Sequence, residues 1–238
     1  MSKENSFLLY EGPSQLDGGP IIATLTGLNG SANPKTGGAL SIWIMRGDEH
    51  PMDCINTGLD RSMCGVCPFR KTASVNGVRI CYVNMAPVFG MFHKYRAGRY
   101  NTLNDLSRLN GWVVRAGAYG DPAALPLSLL QDIKKQAGTL LGYTHQWSRF
   151  PNLKKYFLAS CQDQASYIRA KLLGFKTFRI RGTGRGEMYP REIECMAKQK
   201  GLTCAECKLC TPGRGPDIST EVHGLSWAIK EFNSRYNK

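Results

Sequence analysis

The sequence feature that most constrains the fold is a dense run of cysteines near the carboxyl terminus. Cys204, Cys207 and Cys210 form a CxxCxxC motif, and Cys195 lies a short distance upstream. Three thiolates on one short loop, completed by a fourth from a neighbouring segment, suit the four corners of an Fe4S4 cluster. Zinc also binds four thiolates, but its sites usually pair two separate CxxC loops. We therefore predict that these four cysteines hold an iron–sulfur cluster.

A second set of cysteines lies in the amino-terminal half of the chain. Cys64 and Cys67 form a CxxC motif, and Cys81 follows a glycine-containing turn, while Cys54 precedes the motif. The first three form a coherent ligand set, and Cys54 is the candidate fourth ligand. Four ligands would close a cluster, whereas three would leave one iron open, as catalytic iron–sulfur sites do. This spacing would equally fit zinc.

Composition indicates a folded protein of a reducing compartment. The chain has 238 residues, 42% of them hydrophobic, which predicts one substantial domain with an appendage. Its nine cysteines come with no signal-peptide pattern and no apolar stretch of membrane-spanning length. We therefore expect a cytoplasmic protein whose clustered thiols bind metal rather than form disulfides.

Positive charge is concentrated in one stretch. The formal net charge is +13, and residues 61–100 contain seven Lys or Arg and no Asp or Glu. Such a stretch is typical of a nucleic-acid-binding surface. It would equally serve to balance the charge of an anionic cluster and an anionic ligand. No recognised nucleic-acid-binding motif accompanies it, so the sequence leaves both interpretations open.

The pattern of apolar runs and turns predicts an α/β protein. We expect a flexible arm over 1–19, a main domain over 20–190 and a carboxyl-terminal cluster segment over 191–238. Strands are predicted at 21–26 and 41–45, joined by a loop in which Asn33 and Lys35 would clasp an anion or simply connect the strands. Helices are predicted at 87–100 and 102–109. From residue 111 a β-α-β-β-α-β order predicts a mainly parallel sheet or an incomplete barrel.

Polar residues follow the predicted parallel strands, where ligands bind in such folds. They are Tyr119, Gly120 and Asp121 after one strand, His145 and Gln146 after the next, Gln162 after a third, and Arg181 and Arg185 after a fourth. An Asp-Pro pair often only begins a helix. We nevertheless predict that Tyr119, Asp121 and His145 position a substrate and that Gln146 contacts a cofactor.

Several of these motifs together carry a family resemblance. CGVCP, GAYGDPAA, GYTHQW, SCQ, TFRIRG and CAECKLC, within residues 20–224, resemble a family of cysteine-rich proteins encoded by phages and plasmids. That family has no assigned activity. The resemblance implies an iron–sulfur protein in the cytoplasm of a phage-carrying bacterial host.

A more distant similarity is to the radical S-adenosylmethionine enzymes. It implies a partial (β/α) barrel, a three-cysteine [4Fe-4S] cluster near its mouth and an auxiliary carboxyl-terminal cluster. Gly120 and Asp121 would then correspond to the family motif that meets the amino group of S-adenosylmethionine. The CxxxCxxC motif of those enzymes is absent, and this departure argues against S-adenosylmethionine as a ligand.

Three classes of function follow. The first is a redox or radical enzyme with two [4Fe-4S] clusters and one open iron. The second is an electron-transfer or redox-sensing protein without substrate chemistry. The third is a zinc-stabilised nucleic-acid-binding protein that uses the basic stretch over 61–100.

Overall fold

The computed structural model describes residues 4–30, 34–184 and 188–236. The strands are β1 Ser6–Pro13, β2 Pro20–Thr26, β3 Leu40–Arg46, β4 Val113–Tyr119, β5 Thr139–Leu141, β6 Tyr143–Thr144, β7 Leu158–Cys161, β8 Thr177–Arg181, β9 Glu192–Glu194 and β10 Asp217–Glu221. The helices are α1 Pro51–Thr57, α2 Arg61–Cys64, α3 Met85–Arg96, α4 Leu127–Gln136, α5 Gln164–Leu172, α6 Met196–Gln199, α7 Cys204–Cys207 and α8 Ser226–Tyr236.

The first sheet has the strand order β1-β2-β3-β4-β5. Strands β1, β2 and β3 pair antiparallel, and β3, β4 and β5 pair parallel. The central strands β2 and β3 are apolar runs buried on both faces, as expected for strands covered on each side. The two strands predicted at 21–26 and 41–45 are therefore confirmed within a residue at each end.

The second sheet has the order β6-β7-β8-β10-β9, and all its pairings are parallel. Only Gly142 separates the end of β5 from the start of β6. A Cβ atom at Gly142 would lie 2.9 Å from the Ala116 carbonyl oxygen and 2.9 Å from the Phe157 ring. A glycine is thus required where the chain passes from one sheet to the next. The predicted α/β class is confirmed, with two sheets rich in parallel pairs and no closed barrel among the described residues.

The amino-terminal segment differs from the prediction of a flexible arm over 1–19. Residues Ser6–Pro13 form β1, which pairs with β2 along its length. Phe7 and Leu9 are buried in the core of the first sheet. Their alternation with more exposed residues is the period-two pattern of an edge strand, so burial of these two side chains fixes the segment.

Two further predictions are corrected. The helix predicted over 102–109 is reduced to a short 3-10 turn at Leu106–Leu109, because Leu103 donates its backbone N–H to the Leu8 carbonyl beside β1. The third strand of the predicted β-α-β-β-α-β order, expected over residues 154–160, begins only at Leu158, since Pro151–Lys155 form another 3-10 turn. In the first case a contact with a distant strand overrides the local pattern, and in the second local backbone hydrogen bonds do so.

The carboxyl-terminal segment is part of the second sheet. Strand β10 lies between β8 and β9 and is parallel to both. A division of the chain at residue 190 therefore crosses a single sheet. The first four residues of β10 are buried, which explains why this polar-looking strand, DISTE, nevertheless belongs to the interior.

The second sheet builds a core that adjoins four of the nine cysteines. Phe69, Ile80, Phe178, Ile180 and Phe232 form its centre. Packed against this core are four cysteines from distant parts of the chain, Cys67, Cys81, Cys195 and Cys210. Among the described residues, no helix has both the length and the apolar character needed to cross a membrane.

Candidate functional site

The CxxC loop lies at the carboxyl ends of β3, β4 and β6. Helix α2 ends at Cys64, and Gly65 follows with a left-handed φ of 54°. The Gln146 side chain donates from Nε2 to the Cys64 carbonyl at 2.9 Å and accepts at Oε1 from the Val66 N–H at 3.2 Å. A side chain at Gly65 would overlap the Gln146 amide. Buried Gln146 therefore fixes the path of this loop.

Two arginines from the basic stretch serve the same region. Arg70 donates to the Gly65 carbonyl at 3.0 Å and to Asp60 at 2.8 Å. Arg79 donates from Nη2 to the Cys81 sulfur at 3.3 Å, and it also contacts the Met85 sulfur at 3.3 Å. Within the described ranges, Arg79 forms no ion pair with a carboxylate. Part of the basic stretch is thus directed inwards, towards the cysteines.

Cys64, Cys67 and Cys81, here called the first cysteine group, lie within electrostatic reach of one another. Burial raises the pKa of Cys64, and negative charge on Cys67 and Cys81 raises it further. Burial likewise raises the pKa of Cys67, and charge on Cys81 adds to this effect. Three thiols that oppose one another's ionisation need a cationic partner before they can act as thiolates.

Cys54 is not part of this group. Its side chain is 0% exposed and lies in the core of the first sheet. Its sulfur donates to the Glu49 carbonyl at 3.6 Å. Burial raises the pKa of Cys54 to about 12, and none of the charges that act on it belongs to another cysteine. Cys64 also packs against this core, and a ligand role for Cys54 stays a prediction.

Asp121 connects the strand ends around the first cysteine group. Its backbone N–H donates to the Met63 carbonyl at 2.6 Å, next to Cys64. Its carboxylate accepts from Thr144 Oγ1 at 2.6 Å and from the backbone N–H groups of Ala123 at 3.0 Å and His145 at 2.7 Å. Burial raises the pKa of Asp121, while these hydrogen bonds lower it. Both carboxylate oxygens are therefore already engaged within the protein.

His145 follows β6 and packs edge-on against Phe69, with ring centroids 5.1 Å apart. Its Nε2 atom lies 3.1 Å from Ser160 Oγ. Burial lowers the pKa of His145 to about 4. The ring is consequently neutral at physiological pH.

Tyr119 and Gly120 end β4 beside the same cysteines. Tyr119 is 3% exposed, and its hydroxyl has no hydrogen-bond partner among the described residues. Gly120 has a φ of 77°, and a Cβ atom there would lie 2.7 Å from the Ile44 carbonyl oxygen. Gly120 thus permits β4 to end close against β3, with Tyr119 directed into the interior.

Cys195, Cys204, Cys207 and Cys210, here called the second cysteine group, are held mainly by backbone hydrogen bonds. The Cys195 N–H donates to the Ser219 carbonyl at 2.8 Å, and the Cys204 N–H donates to the Lys35 carbonyl at 2.9 Å. The Gly142 N–H donates to the Cys210 carbonyl at 3.4 Å. These contacts place the group at the junction of the two sheets, beside the loop that precedes β3.

The four thiols of the second group also act on one another. Burial raises the pKa of Cys210 to about 12, and charge on Cys195, Cys204 and Cys207 raises it further. The structure therefore brings together the four cysteines that the sequence grouped.

Two cations lie against the second cysteine group. Lys176 is 8% exposed and donates from Nζ to the Leu209 carbonyl at 2.6 Å and to the Thr211 carbonyl at 3.3 Å. Burial raises the pKa of Cys204, and the positive charge of Arg115 lowers it. In the described part of the chain, neither Lys176 nor Arg115 pairs with a carboxylate. A cation withdrawn from water is costly unless an anion accompanies it.

A chain of polar aromatic contacts runs between the two groups. Tyr82, next to Cys81, has its hydroxyl 3.3 Å from that of Tyr143. Arg115 donates to the Tyr143 hydroxyl at 3.4 Å. The Tyr143 ring stacks on Phe178, with centroids 4.5 Å apart. These side chains lead from Cys81 of the first group to the surroundings of Cys204 in the second.

The described residues contain no group of three or more His, Cys, Asp or Glu spaced to hold a single metal ion. The thiolates of a four-iron cluster do not converge on one ion, because each binds a different iron. Among the described residues, a group of three thiols and a group of four thiols each lie beside cations that have no carboxylate partner.

The remaining predicted residues lie elsewhere or outside the described ranges. Arg181 pairs with Glu194 and Glu221 at the edge of the second sheet, and Gln162 bonds to Asp163 at 3.1 Å. Lys35 contributes its carbonyl to Cys204. Asn33 and Arg185 fall outside the described residues.

Sequence reasoning did not single out Arg115, Lys176 or Tyr143. Arg115 interrupts the apolar strand VVRAGAY, and a charge at an interior strand position was the one signal available. Lys176 and Tyr143 carry no such signal, since either would be ordinary at a strand terminus.

Comparison with models of protein families, with curated proteins and with solved structures gives no match for this chain.

Proposed function

We propose that this chain is an iron–sulfur protein that binds two [4Fe-4S] clusters. The first cysteine group would hold one cluster through three irons and leave the fourth iron open, and the second cysteine group would saturate the other. One observation carries this proposal: seven of the cysteines form two groups, and each group adjoins buried or half-buried cations for which the described residues provide no carboxylate partner. An anionic cluster would supply the missing negative charge in both places.

We infer that the two sheets together form an open (β/α) barrel. Strands β3, β4 and β5 pair in parallel in the first sheet, all pairs of the second sheet are parallel, and Gly142 joins β5 to β6. This order resembles the partial barrel of the radical S-adenosylmethionine enzymes. The first cluster would then lie at the mouth, where the carboxyl ends of the strands meet.

The first cluster would serve a redox or radical-type reaction. When bound, a cluster with an open iron supplies one electron at a time and a coordination position for a ligand. Side chains of the protein would orient a ligand or substrate at the open iron. Asp121 ties together the strand ends, neutral His145 accepts or donates a hydrogen bond at Nε2, and Gln146 holds the CxxC loop. A substrate role for Tyr119, Asp121 and His145 remains a prediction, as does S-adenosylmethionine binding at Gly120, Asp121 and Gln146.

Electron transfer without substrate chemistry is the second candidate. The contacts from Tyr82 through Tyr143 to Arg115 favour it, because they join the surroundings of the two groups. Both candidates require two clusters and differ only in whether the open iron binds a ligand.

Metal and sulfide analysis after anaerobic purification tests the proposal. We expect about eight iron and eight sulfide per chain if both sites hold [4Fe-4S] clusters. Stoichiometric zinc without sulfide would contradict the proposal and leave the zinc-stabilised nucleic-acid binder. Binding of DNA or RNA that weakens steeply with salt would then be the expected property.

A further inference from the structure

The hydroxyl of Tyr119 is buried and lacks a partner. The side chain is 3% exposed, and none of the described residues accepts from or donates to its oxygen. Buried hydroxyl groups are nearly always hydrogen-bonded, because taking one from water without a partner is costly. A partner that is not part of the polypeptide would explain why a tyrosine rather than a phenylalanine ends β4.

The hydroxyl lies in the surroundings of the first cysteine group. Strand β4 ends at Tyr119, and two residues later Asp121 bonds to the Met63 carbonyl next to Cys64. Burial raises the pKa of Tyr119, charge on Cys64, Cys81 and Asp60 raises it further, and Arg79 lowers it. The hydroxyl therefore lies within electrostatic reach of the first cysteine group and of the Arg79 guanidinium, which donates but cannot accept a hydrogen bond.

The other unpartnered side-chain atoms lie in a different region. They belong to Thr177, Arg181, Glu194 and Ser219, on β8, β9 and β10. Arg181 and Glu194 already bond to each other. Tyr119 is thus the unpartnered group that adjoins cysteines of the first group, and a thiol sulfur is only a weak acceptor for it, whereas a thiolate or sulfide is a stronger one.

We propose that Tyr119 donates a hydrogen bond to the group held by the first cysteine group and thereby tunes its reduction potential. This inference rests on the proposed function. The acceptor would be a sulfur of the bound cluster or an anionic ligand on the open iron. A hydrogen bond to either stabilises the more negative, reduced state, so it raises the reduction potential. Tyr119 acts here as a positioning residue.

The substitution Tyr119→Phe removes the hydroxyl and keeps the ring. In the loaded protein it should lower the reduction potential of the first cluster and leave that of the second unchanged, measured by redox titration followed by electron paramagnetic resonance. A purely structural role would not shift one potential selectively. In the metal-free chain the same substitution should raise the Tm, because it removes an unsatisfied buried hydroxyl.

Tyr167→Phe is the matched control. The Tyr167 hydroxyl donates to Asp217 and lies 3.2 Å from both that carboxylate and the Pro190 carbonyl. Its removal should lower the Tm of the metal-free chain and change neither potential. Opposite signs for the two substitutions would show that the Tyr119 hydroxyl is unsatisfied until the site is filled.

The two candidate acceptors, a cluster sulfur and a ligand on the open iron, are distinguished by adding cyanide, a small anion that binds an open iron. A shift of the potential in Tyr119→Phe without cyanide identifies cluster sulfur as the acceptor, and a shift that appears only with cyanide identifies the iron ligand. Equal first-cluster potentials in the wild type and Tyr119→Phe under both conditions would overturn the inference. Absence of clusters from the wild-type protein would instead overturn the proposed function, so the two failures are distinguishable.

Discussion

The two cysteine groups are supported in different ways. The first is supported by side chains: Gln146 and Arg70 bond to the CxxC loop, and Arg79 bonds to the Cys81 sulfur. The second is supported mainly by backbone hydrogen bonds from Cys195, Cys204 and Gly142, with the Lys176 side chain donating to the carbonyls on either side of Cys210. Four ligands within one short segment need little more than an anchored loop. Three ligands need a built framework if one corner of a cluster is to stay accessible, so the contrast in support parallels the proposed contrast in ligand number.

The largest expected effect is the loss of one cluster, with the other retained, when ligand thiols of one group are removed. Cys64→Ala or Cys67→Ala should lose about four iron and four sulfide per chain, because a cluster with two remaining ligands is not retained. The double variant Cys204→Ala/Cys207→Ala, which also leaves two ligands, should lose the same amount from the other site. Iron and sulfide analysis with electron paramagnetic resonance measures which signal disappears.

Cys54→Ala should keep both clusters, because Cys54 lies in the core of the first sheet and bonds to Glu49. Cys161→Ala is the control, since its thiol is also 0% exposed and contacts its own strand. Both should lose about 1 kcal/mol of stability from the small cavity. Loss of the first cluster in Cys54→Ala alone would make Cys54 the fourth ligand.

Gln146→Ala should weaken the first site and spare the second. It removes two hydrogen bonds to the CxxC loop and leaves a buried space, and we expect a loss of about 2 kcal/mol of unfolding free energy. The iron content of the first site should fall with it. Gln162→Ala is the control, because that amide bonds only to the neighbouring Asp163. Denaturant unfolding and iron analysis compare the two variants. Equal losses of unfolding free energy and of iron would show that Gln146 does not support the first site.

His145 should make the region around the first site sensitive to acid. An unfolded histidine has a pKa of about 6.5, whereas burial lowers the pKa of folded His145 to about 4. The unfolded chain therefore binds the proton first, and stability contributed by neutral His145 is present above about pH 6.5 and is lost as the pH falls towards 4.

His145→Gln should flatten this acid dependence by on the order of 1 to 2 kcal/mol. His223→Gln, at an exposed ring, should leave the profile unchanged. Denaturant unfolding of the metal-free chain between pH 4 and pH 7 measures both. An unchanged slope in His145→Gln would contradict burial of a neutral ring at this position.

The sequence predicts how the cysteines are grouped, but it does not predict the contacts that hold them in place. The spacing of Cys204, Cys207 and Cys210 is local, so their proximity follows from the chain alone. The position of Cys54 depended on whether a loop or the core holds it, and the burial of helix α1 decided that question. The Gln146 contact with Cys64 joins positions far apart in the chain. No local pattern encodes such a pairing.

The fold shows the same limit. Strands β2 to β8 were predicted from their apolar runs, whereas β1, β9 and β10 were not. The burial of β10 depends on its place between β8 and β9, and that of β1 on its pairing with β2. Long-range pairing thus decided the segments in which the local pattern was ambiguous.

The central claim, that the first site has an open iron and the second does not, is tested most directly by electron paramagnetic resonance of the reduced wild-type protein with and without cyanide. We predict two cluster signals, of which one shifts on addition of cyanide and is the signal lost in Cys64→Ala. The other signal should be unaffected. Two signals that are both unchanged by cyanide, or a shift confined to the signal lost in the double variant Cys204→Ala/Cys207→Ala, would contradict the account.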